Sequence, residues 1–206
     1  MVRDGEQTRE AILKSAQAEF LAKGFSAASL RKIATGAEVT TGALYRHFTD
    51  KAALFEALVA PCFHGFIQMF RQQGEDYLRG QDSYDFDHNW SSSEQSLLRW
   101  TEYIYDHLEV FKLLLSAAEK TAYESFVHIL IEMEVDMTLE YIRLAREKGY
   151  MIKDVSREEI HIFVNAQFSA FFEMVLHDVP RERAVEYTSS IFRFFAAGWK
   201  KLFIGA

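Results

Sequence analysis

The stretch Ser29–Lys51, SLRKIATGAEVTTGALYRHFTDK, decides how the N-terminal part of this chain folds. Leu30, Ile33 and Ala34 fall at i, i+3 and i+4 and make one apolar stripe, with Arg31 and Lys32 pointing away from it. Ser29 has the side chain of an N-cap. Gly36 interrupts the pattern and Val39 restarts it, so that Val39, Leu44 and Phe48 pack inward while Thr40, Thr41, Ala43, Tyr45 and His47 face out. The spacing therefore predicts two short helices joined by a tight turn. The exposed face of the second is small at one end and polar-aromatic at the other, which suits a helix that sits deep in a DNA major groove, with hydroxyls and a methyl against base edges. Gly42 removes one more Cβ from that approach, although glycine inside a short helix costs about 1 kcal/mol relative to alanine. The same spacing also fits any amphipathic helical hairpin, because the pattern taken alone is only moderately specific.

With its flanks included, the segment from about Thr8 to Val59 resembles the DNA-binding domain of TetR-family transcriptional repressors. The residues that carry the resemblance are Ile12 and Phe20, Gly24 with Phe25, Ile33 and Ala34, Val39, Gly42, Leu44 with Tyr45, His47 with Phe48, then Lys51, Leu54 and Phe55. They cover about the first quarter of the chain, and the rest resembles the family in being helical and of suitable length. The resemblance implies an all-α fold, with a three-helix helix-turn-helix DNA-binding domain over residues 1–50 (motif about 29–48) and a helical effector-binding and dimerisation domain over 51–206. It also implies phosphate contacts from Tyr45, His47 and Lys51, the last beside the free N–H groups of the next helix. Thr40, Thr41 and Ala43 become the candidates for base edges, with Arg31 and Gly42 completing the expected DNA-binding set. Two positions depart from the family pattern. Glu38 stands where glycine usually precedes the valine of the turn, and Thr41 stands where a lysine or arginine often precedes Gly42.

Composition agrees with a folded, two-part protein. The chain has 206 residues, 49% of them hydrophobic and 15% aromatic, enough for two cores. Its net charge of −7 is uneven: residues 1–60 carry eight basic and seven acidic side chains, leaving the remainder at −8. DNA would meet the near-neutral end. No apolar run approaches the ~20 residues of a membrane span and the N-terminus has no signal-peptide core, so the expected location is cytoplasmic, with no membrane partner. The single cysteine, Cys62, excludes an internal disulfide. It reads as a buried small hydrophobe on the stripe Leu54, Leu58, Phe66, with a redox-sensing thiol as the sharper alternative. The seven histidines show no metal-ligand spacing, and no cofactor or metal is expected.

The helical pattern predicts a first helix from near Asp4 to Lys23, ended by Gly24. A helix from Thr49 or Asp50 follows, kinked or broken near residues 57–61 by Pro61. Residues 74–89 read as an acidic loop. Beyond it the pattern predicts a helix opened by a Ser91–Glu94 capping box and running to about Ser116, then one from about Lys120 to Lys148 with Gly149 as its stop. A second capping box, Ser156–Glu159, opens a helix to about His177, and the last helix runs from near Arg181 to Phe203.

These last two helices are apolar on more than one face, and a second buried face needs a partner. Combined with the resemblance, Phe168, Phe171, Phe172, Phe192, Phe195 and Trp199 are expected to form a four-helix homodimer interface; a thick monomer core is the alternative. Phe63, Phe66, Trp100, Tyr103, His107, Phe111, Tyr123 and Phe126 mix apolar surface with polar tips and are the expected lining of an effector pocket, against the plainer reading that they are core. The chain lacks a nucleophile–base pair, a glycine-rich phosphate loop and a metal motif, so it is not expected to be an enzyme. The resemblance implies a ligand-responsive, dimeric repressor that binds a double-stranded DNA operator and is released by a small apolar or aromatic effector. The competing reading is an all-helical carrier or enzyme with an incidental N-terminal hairpin.

Overall fold

The computed structural model describes residues 5–79 and 86–204, with 86–93 described as helical backbone only. Every regular element among the described residues is helical: α1 Gly5–Ala27, α2 Leu30–Gly36, α3 Thr41–His47, α4 Lys51–Arg79, α5 Phe86–Asp106, α6 Leu108–Lys112, a π-helical turn Leu113–Ala117, α7 Phe126–Glu147, α8 Arg157–Leu176 and α9 Arg181–Ile204. The predicted all-α class holds. Packing groups the chain into two compact units, residues 1–65 with 107–126, and 66–106 with 127–206. The boundary read from sequence at residue 50 marks the end of the hairpin, whereas the first unit also recruits α6 and the π-helical turn.

In the first unit Ile12, Ala16 and Phe20 of α1 are buried together with Ile33 and Ala34 of α2, Leu44 of α3, and Leu54 and Phe55 of α4. Phe20 and Phe25 both meet the Phe55 ring edge-on, at centroid distances of 5.1 and 5.4 Å. Each fully buried side chain of this size contributes about 1.5–3 kcal/mol. Gly24 breaks α1 where expected, at φ 72°, which favours glycine. The expected start at Asp4 lies outside the described residues. Gly36 is required for space rather than for backbone angle, because a Cβ there would run into Ser15 Oγ, which donates to Ile33 O at 2.9 Å.

Four expectations need correcting. Pro61 does not break α4, which runs unbroken from Lys51 to Arg79. Proline removes one rung of the ladder, but Leu54, Phe55, Val59, Cys62, Phe66 and Phe70 are all buried along this helix, and that burial outweighs the lost bond. The same helix is long and apolar enough to cross a membrane by length and composition, contrary to the sequence reading, and it carries the buried residues just named. Residues 74–79 are helical rather than a loop, while 80–85 lie outside the described residues. Gly74 is a packing glycine, since a Cβ would strike the Met137 sulfur, and Arg79–Glu75 and Gln72–Asp76 pairs one turn apart support the segment.

The fourth correction concerns residues 86–126. The helix begins at Phe86, so Ser91 is no N-cap, and instead of continuing to Ser116 it stops at Asp106, where His107 turns to φ −123°, ψ 30°. α7 starts at Phe126 rather than Lys120, because Lys120 takes φ 63° and the Thr121 hydroxyl closes a local turn by donating to Ala118 O and accepting from Tyr123 N. Gly149 stops α7 at φ 87°, and the Ser156 hydroxyl caps α8 by accepting from Glu159 N at 3.1 Å, both as predicted.

In the second unit α5 packs on α9, and α8 on α9. The hydroxyls of Thr101 and Thr188, both fully buried, satisfy each other at 2.8 Å. Tyr105 donates to Val179 O at 2.8 Å, and Arg181 pairs with Asp106 at 2.7 Å.

Candidate functional site

The hairpin of α2 and α3 is built by its caps. Ser29 accepts from Lys32 N at 3.4 Å, and Thr40 accepts from Ala43 N at 3.1 Å. Between them α2 ends with Glu38 N donating to Thr35 O at 3.0 Å and Val39 N to Ala34 O at 2.9 Å. This closure requires a left-handed residue, and Glu38 supplies it at φ 58°. Gly36, two residues earlier, is not among the residues at positive φ. The departure from the family pattern is thus local: the turn keeps its left-handed geometry and holds a side chain there at a cost of about 1–2 kcal/mol.

With Leu44 and Phe48 buried, α3 leaves Thr40, Thr41, Gly42, Tyr45 and Arg46 exposed, and Ala43 and His47 half-buried. Tyr45 is 51% exposed. A Cβ on Gly42 would meet only Thr40 Oγ1, at 3.9 Å, so no packing within the chain demands glycine there. Arg31 is exposed on α2. Thr40 and Lys51 both make bonds inside the fold. The Thr40 oxygen is committed to its cap, leaving the hydroxyl proton to donate. Lys51 Nζ donates to Ser26 O and Ala28 O at 3.0 and 3.2 Å and lies 4.8 Å from the centre of the Phe25 ring, so it ties the α1–α2 connection to the start of α4.

The second unit holds a half-open cavity of about 200 Å³, larger than the ~150 Å³ that suffices for a benzene-sized guest. Its walls come from α4 (Phe70, Gln73, Gly74, Tyr77), α5 (Leu97, Trp100), α7 (Glu134, Met137, Tyr141), α8 (Phe168, Phe171) and α9 (Phe192, Phe195, Trp199). Phe70 and Trp100 stack at 4.6 Å. Two buried polar atoms in this wall, Trp100 Nε1 and Gln73 Oε1, have no hydrogen-bond partner among the described residues. A buried donor and acceptor left open are costly, by about 1–3 kcal/mol each, unless something with complementary groups reaches them. Glu134 lines the same cavity, and burial pushes its carboxyl up to about 7.

Of the expected pocket residues only Trp100 lines this cavity. Phe63, Phe111, Tyr123 and Phe126 form an aromatic cluster in the first unit, with ring centroids 5.0–5.9 Å apart in the contacting pairs Phe63–Tyr123, Phe63–Phe126 and Phe111–Phe126. Phe66 is fully buried, 5.8 Å from Tyr103 and 6.4 Å from Trp100, and His107 is exposed at the α5–α6 break. A periodic aromatic stripe marks burial, and Phe66, Phe111, Tyr123 and Phe126 fill core. The missed residues carried one readable signal: Glu134 falls on the apolar stripe Leu130, Met137, Tyr141 of α7, where a carboxylate needs a reason.

Of the six expected dimer residues, four are interior to the single chain. Phe168, Phe171, Phe172 and Phe192 are buried within one chain, and Phe195 and Trp199 line the cavity, with Trp199 Nε1 donating to Gln167 Oε1 at 3.0 Å. The faces of α8 and α9 left open carry Ile162 (63% exposed), Phe163 and Phe194 (75% exposed). Beside them lie the small exposed residues Ala166, Ala197 and Gly198.

Residues 12–58 match the family model described as "Bacterial regulatory proteins, tetR family". The chain is 43% identical over 56 residues to the HTH-type transcriptional repressor BepR of Brucella suis biovar 1 (strain 1330), covering 27% of each protein. It is 41% identical over 61 residues to the HTH-type transcriptional regulator SrpR of Pseudomonas putida, covering 30% of this chain and 29% of SrpR. These matches span less than a third of the curated relatives. By structure the chain is similar to SmeT, the repressor of the Stenotrophomonas maltophilia multidrug efflux pump SmeDEF, with a TM-score of 0.61 at 18% identity over 96% of this chain and 92% of that one. It is also similar to NalD, the secondary repressor of the Pseudomonas aeruginosa pump MexAB-OprM, with a TM-score of 0.58 at 22% identity over 97% and 98%. At these identities the likeness is one of fold. The sequence likeness to the TetR family of bacterial transcriptional regulators thus lies in the N-terminal helix-turn-helix segment, residues 12–58, and the remainder shares the fold of solved regulators of that family.

Proposed function

We propose that the protein is a homodimeric, effector-responsive repressor that acts in the cytoplasm on a DNA operator. The observation that carries this reading is the α3 surface, where Thr40, Thr41, Gly42 and Tyr45 are exposed together on a helix whose opposite side is anchored by Leu44 and Phe48. Thr41, Ala43 and the Thr40 hydroxyl proton meet base edges; Tyr45, His47 and Arg31 meet phosphates. Lys51 adds charge beside the helix N-terminus while holding the α1–α2 connection in place. A carrier or enzyme has no use for such a face, and the relatives are regulators.

Dimerisation uses the open faces of α8 and α9 around Ile162, Phe163 and Phe194, apolar groups that water disfavours and a second copy would cover. A two-fold dimer then presents two α3 helices to half-sites about 34–36 Å apart or a multiple of it. The effector occupies the cavity of the second unit. Its body is apolar or aromatic, to match Phe70, Phe168 and Phe171, and it carries polar groups that answer Trp100 Nε1 and Gln73 Oε1. Release requires unequal affinity for the operator-competent and operator-incompetent states; a tenfold release corresponds to about 1.4 kcal/mol.

A gel-shift series with DNA from upstream of the protein's own gene tests the reading. A specific shift that survives competitor DNA is the expected result. A shift no stronger than with unrelated DNA of the same length would remove the repressor assignment.

A further inference from the structure

His128, Glu132 and His161 present two imidazoles and a carboxylate whose ligating atoms all lie within 4.8 Å of one another. His128 and Glu132 are one turn apart on α7, so their side chains stack on the same face. His161 comes from the first turns of α8, a helix fixed at its start by the Ser156 cap. Its Nε2 lies 3.2 Å from Glu132 Oε1. The two rings have centroids 6.3 Å apart and are inclined at 61°.

An ion-pair network accounts for part of this cluster. Arg157 bridges Glu132 Oε2 at 2.7 Å and Asp136 Oδ1 at 2.6 Å. That bridge turns the other oxygen of Glu132, Oε1, towards the imidazoles and holds it there, as outer partners of metal-binding carboxylates do. One histidine suffices to pair with Oε1. The second adds nothing to an ion pair, and if both were protonated they would repel. Two neutral imidazoles and one carboxylate oxygen instead make a three-ligand set for a single cation. A tetrahedral ion about 2.0–2.1 Å from each donor needs the donors about 3.4 Å apart. The Glu132–His161 pair is already at that spacing, and a small rotation of the exposed His128 brings in the third.

We propose that His128, Glu132 and His161 bind one borderline divalent transition-metal cation of the Zn2+ or Ni2+ class, which ties α7 to α8 and leaves an outer position for water. Imidazole donors select against hard ions such as Mg2+, which prefer all-oxygen sites. The site is separate from the cavity, whose lining includes none of these three residues.

The test is isothermal titration of the chelator-stripped, full-length protein with Zn2+, and with Mg2+ as control. The expected result is one Zn2+ per chain at micromolar affinity or tighter, with no Mg2+ binding. His128→Ala and His161→Ala should each weaken Zn2+ at least about tenfold, and the double variant should lose the site. Because these side chains sit at the surface, the metal-free double variant should melt within a degree or so of the wild type, whereas Zn2+ should raise the melting temperature of the wild type alone. Zn2+ binding that is unchanged in the double variant, Mg2+ binding of equal strength, or wild-type protein that takes up no Zn2+ at 100 micromolar (about the weakest affinity a dedicated site would show) would each overturn the proposal.

Discussion

The α2–α3 hairpin and the α8–α9 pair dispose of their side chains in opposite ways. In the hairpin the large aliphatic and phenyl side chains are few and fall on the side that packs: Ile33, Leu44 and Phe48 are buried with Ala34, while Thr40, Thr41 and Tyr45 stay out. In α8 and α9 the aromatic residues occupy nearly every side, so periodicity cannot tell interior from exterior. There the fold divides them, sending Phe168, Phe171, Phe172 and Phe192 inward and leaving Ile162, Phe163 and Phe194 at the surface. A pattern with one apolar face has one solution. A pattern with two has several, and long-range packing picks among them.

The sharpest way to break this contrast is a pair of charges on α8 and α9. Phe171→Asp should destabilise the folded chain by about 4 kcal/mol or more, because it leaves a cavity and an unpaired charge in the wall. Phe194→Asp should leave the thermal transition of a monomer nearly unchanged and abolish dimerisation in sedimentation measurements. If Phe194→Asp remains dimeric and Phe171→Asp folds as a monomer, the inside and outside faces have been assigned the wrong way round.

On the hairpin, Tyr45→Ala should weaken binding to every DNA sequence by about 1.5 kcal/mol per half-site, the scale of a hydrogen bond to a charged phosphate. Thr41→Ala should shift base preference and leave non-specific binding alone. Binding curves on operator and random DNA separate the two, and an unchanged Tyr45→Ala would mean that α3 lies differently on the duplex.

The cavity can be probed through pH. Glu134 has its carboxyl raised from 4.5 to about 7, so between those values the folded chain holds a proton that the unfolded chain has released. Its contribution to stability therefore falls as pH rises through that window and is least favourable above 7. Glu134→Gln removes the penalty, and its melting temperature should exceed that of the wild type at pH 8 by clearly more than at pH 4. Equal gains at both pH values would show that the carboxyl is not held in an apolar wall. The smallest expected effect is at the turn: Glu38→Gly should stabilise by about 1 kcal/mol in urea unfolding, because only Glu38 in the α2–α3 connection holds a left-handed angle.

The local sequence determined whatever one turn of chain can decide. The N-caps at Ser29 and Ser156, the stops at Gly24 and Gly149 and the outward set of α3 all follow from residues within four positions of one another, because capping bonds and helix faces involve no distant partner. Tertiary structure decided the rest. It carried α4 through Pro61, set Gly74 against the Met137 sulfur, moved the cavity from Phe111 and Phe126 to Glu134 and Gln73, and brought His161 to a carboxylate 29 positions earlier in the chain. Each of these depends on which helix lies opposite. That is set by the burial of whole surfaces, and the period of a single helix carries no record of its neighbour.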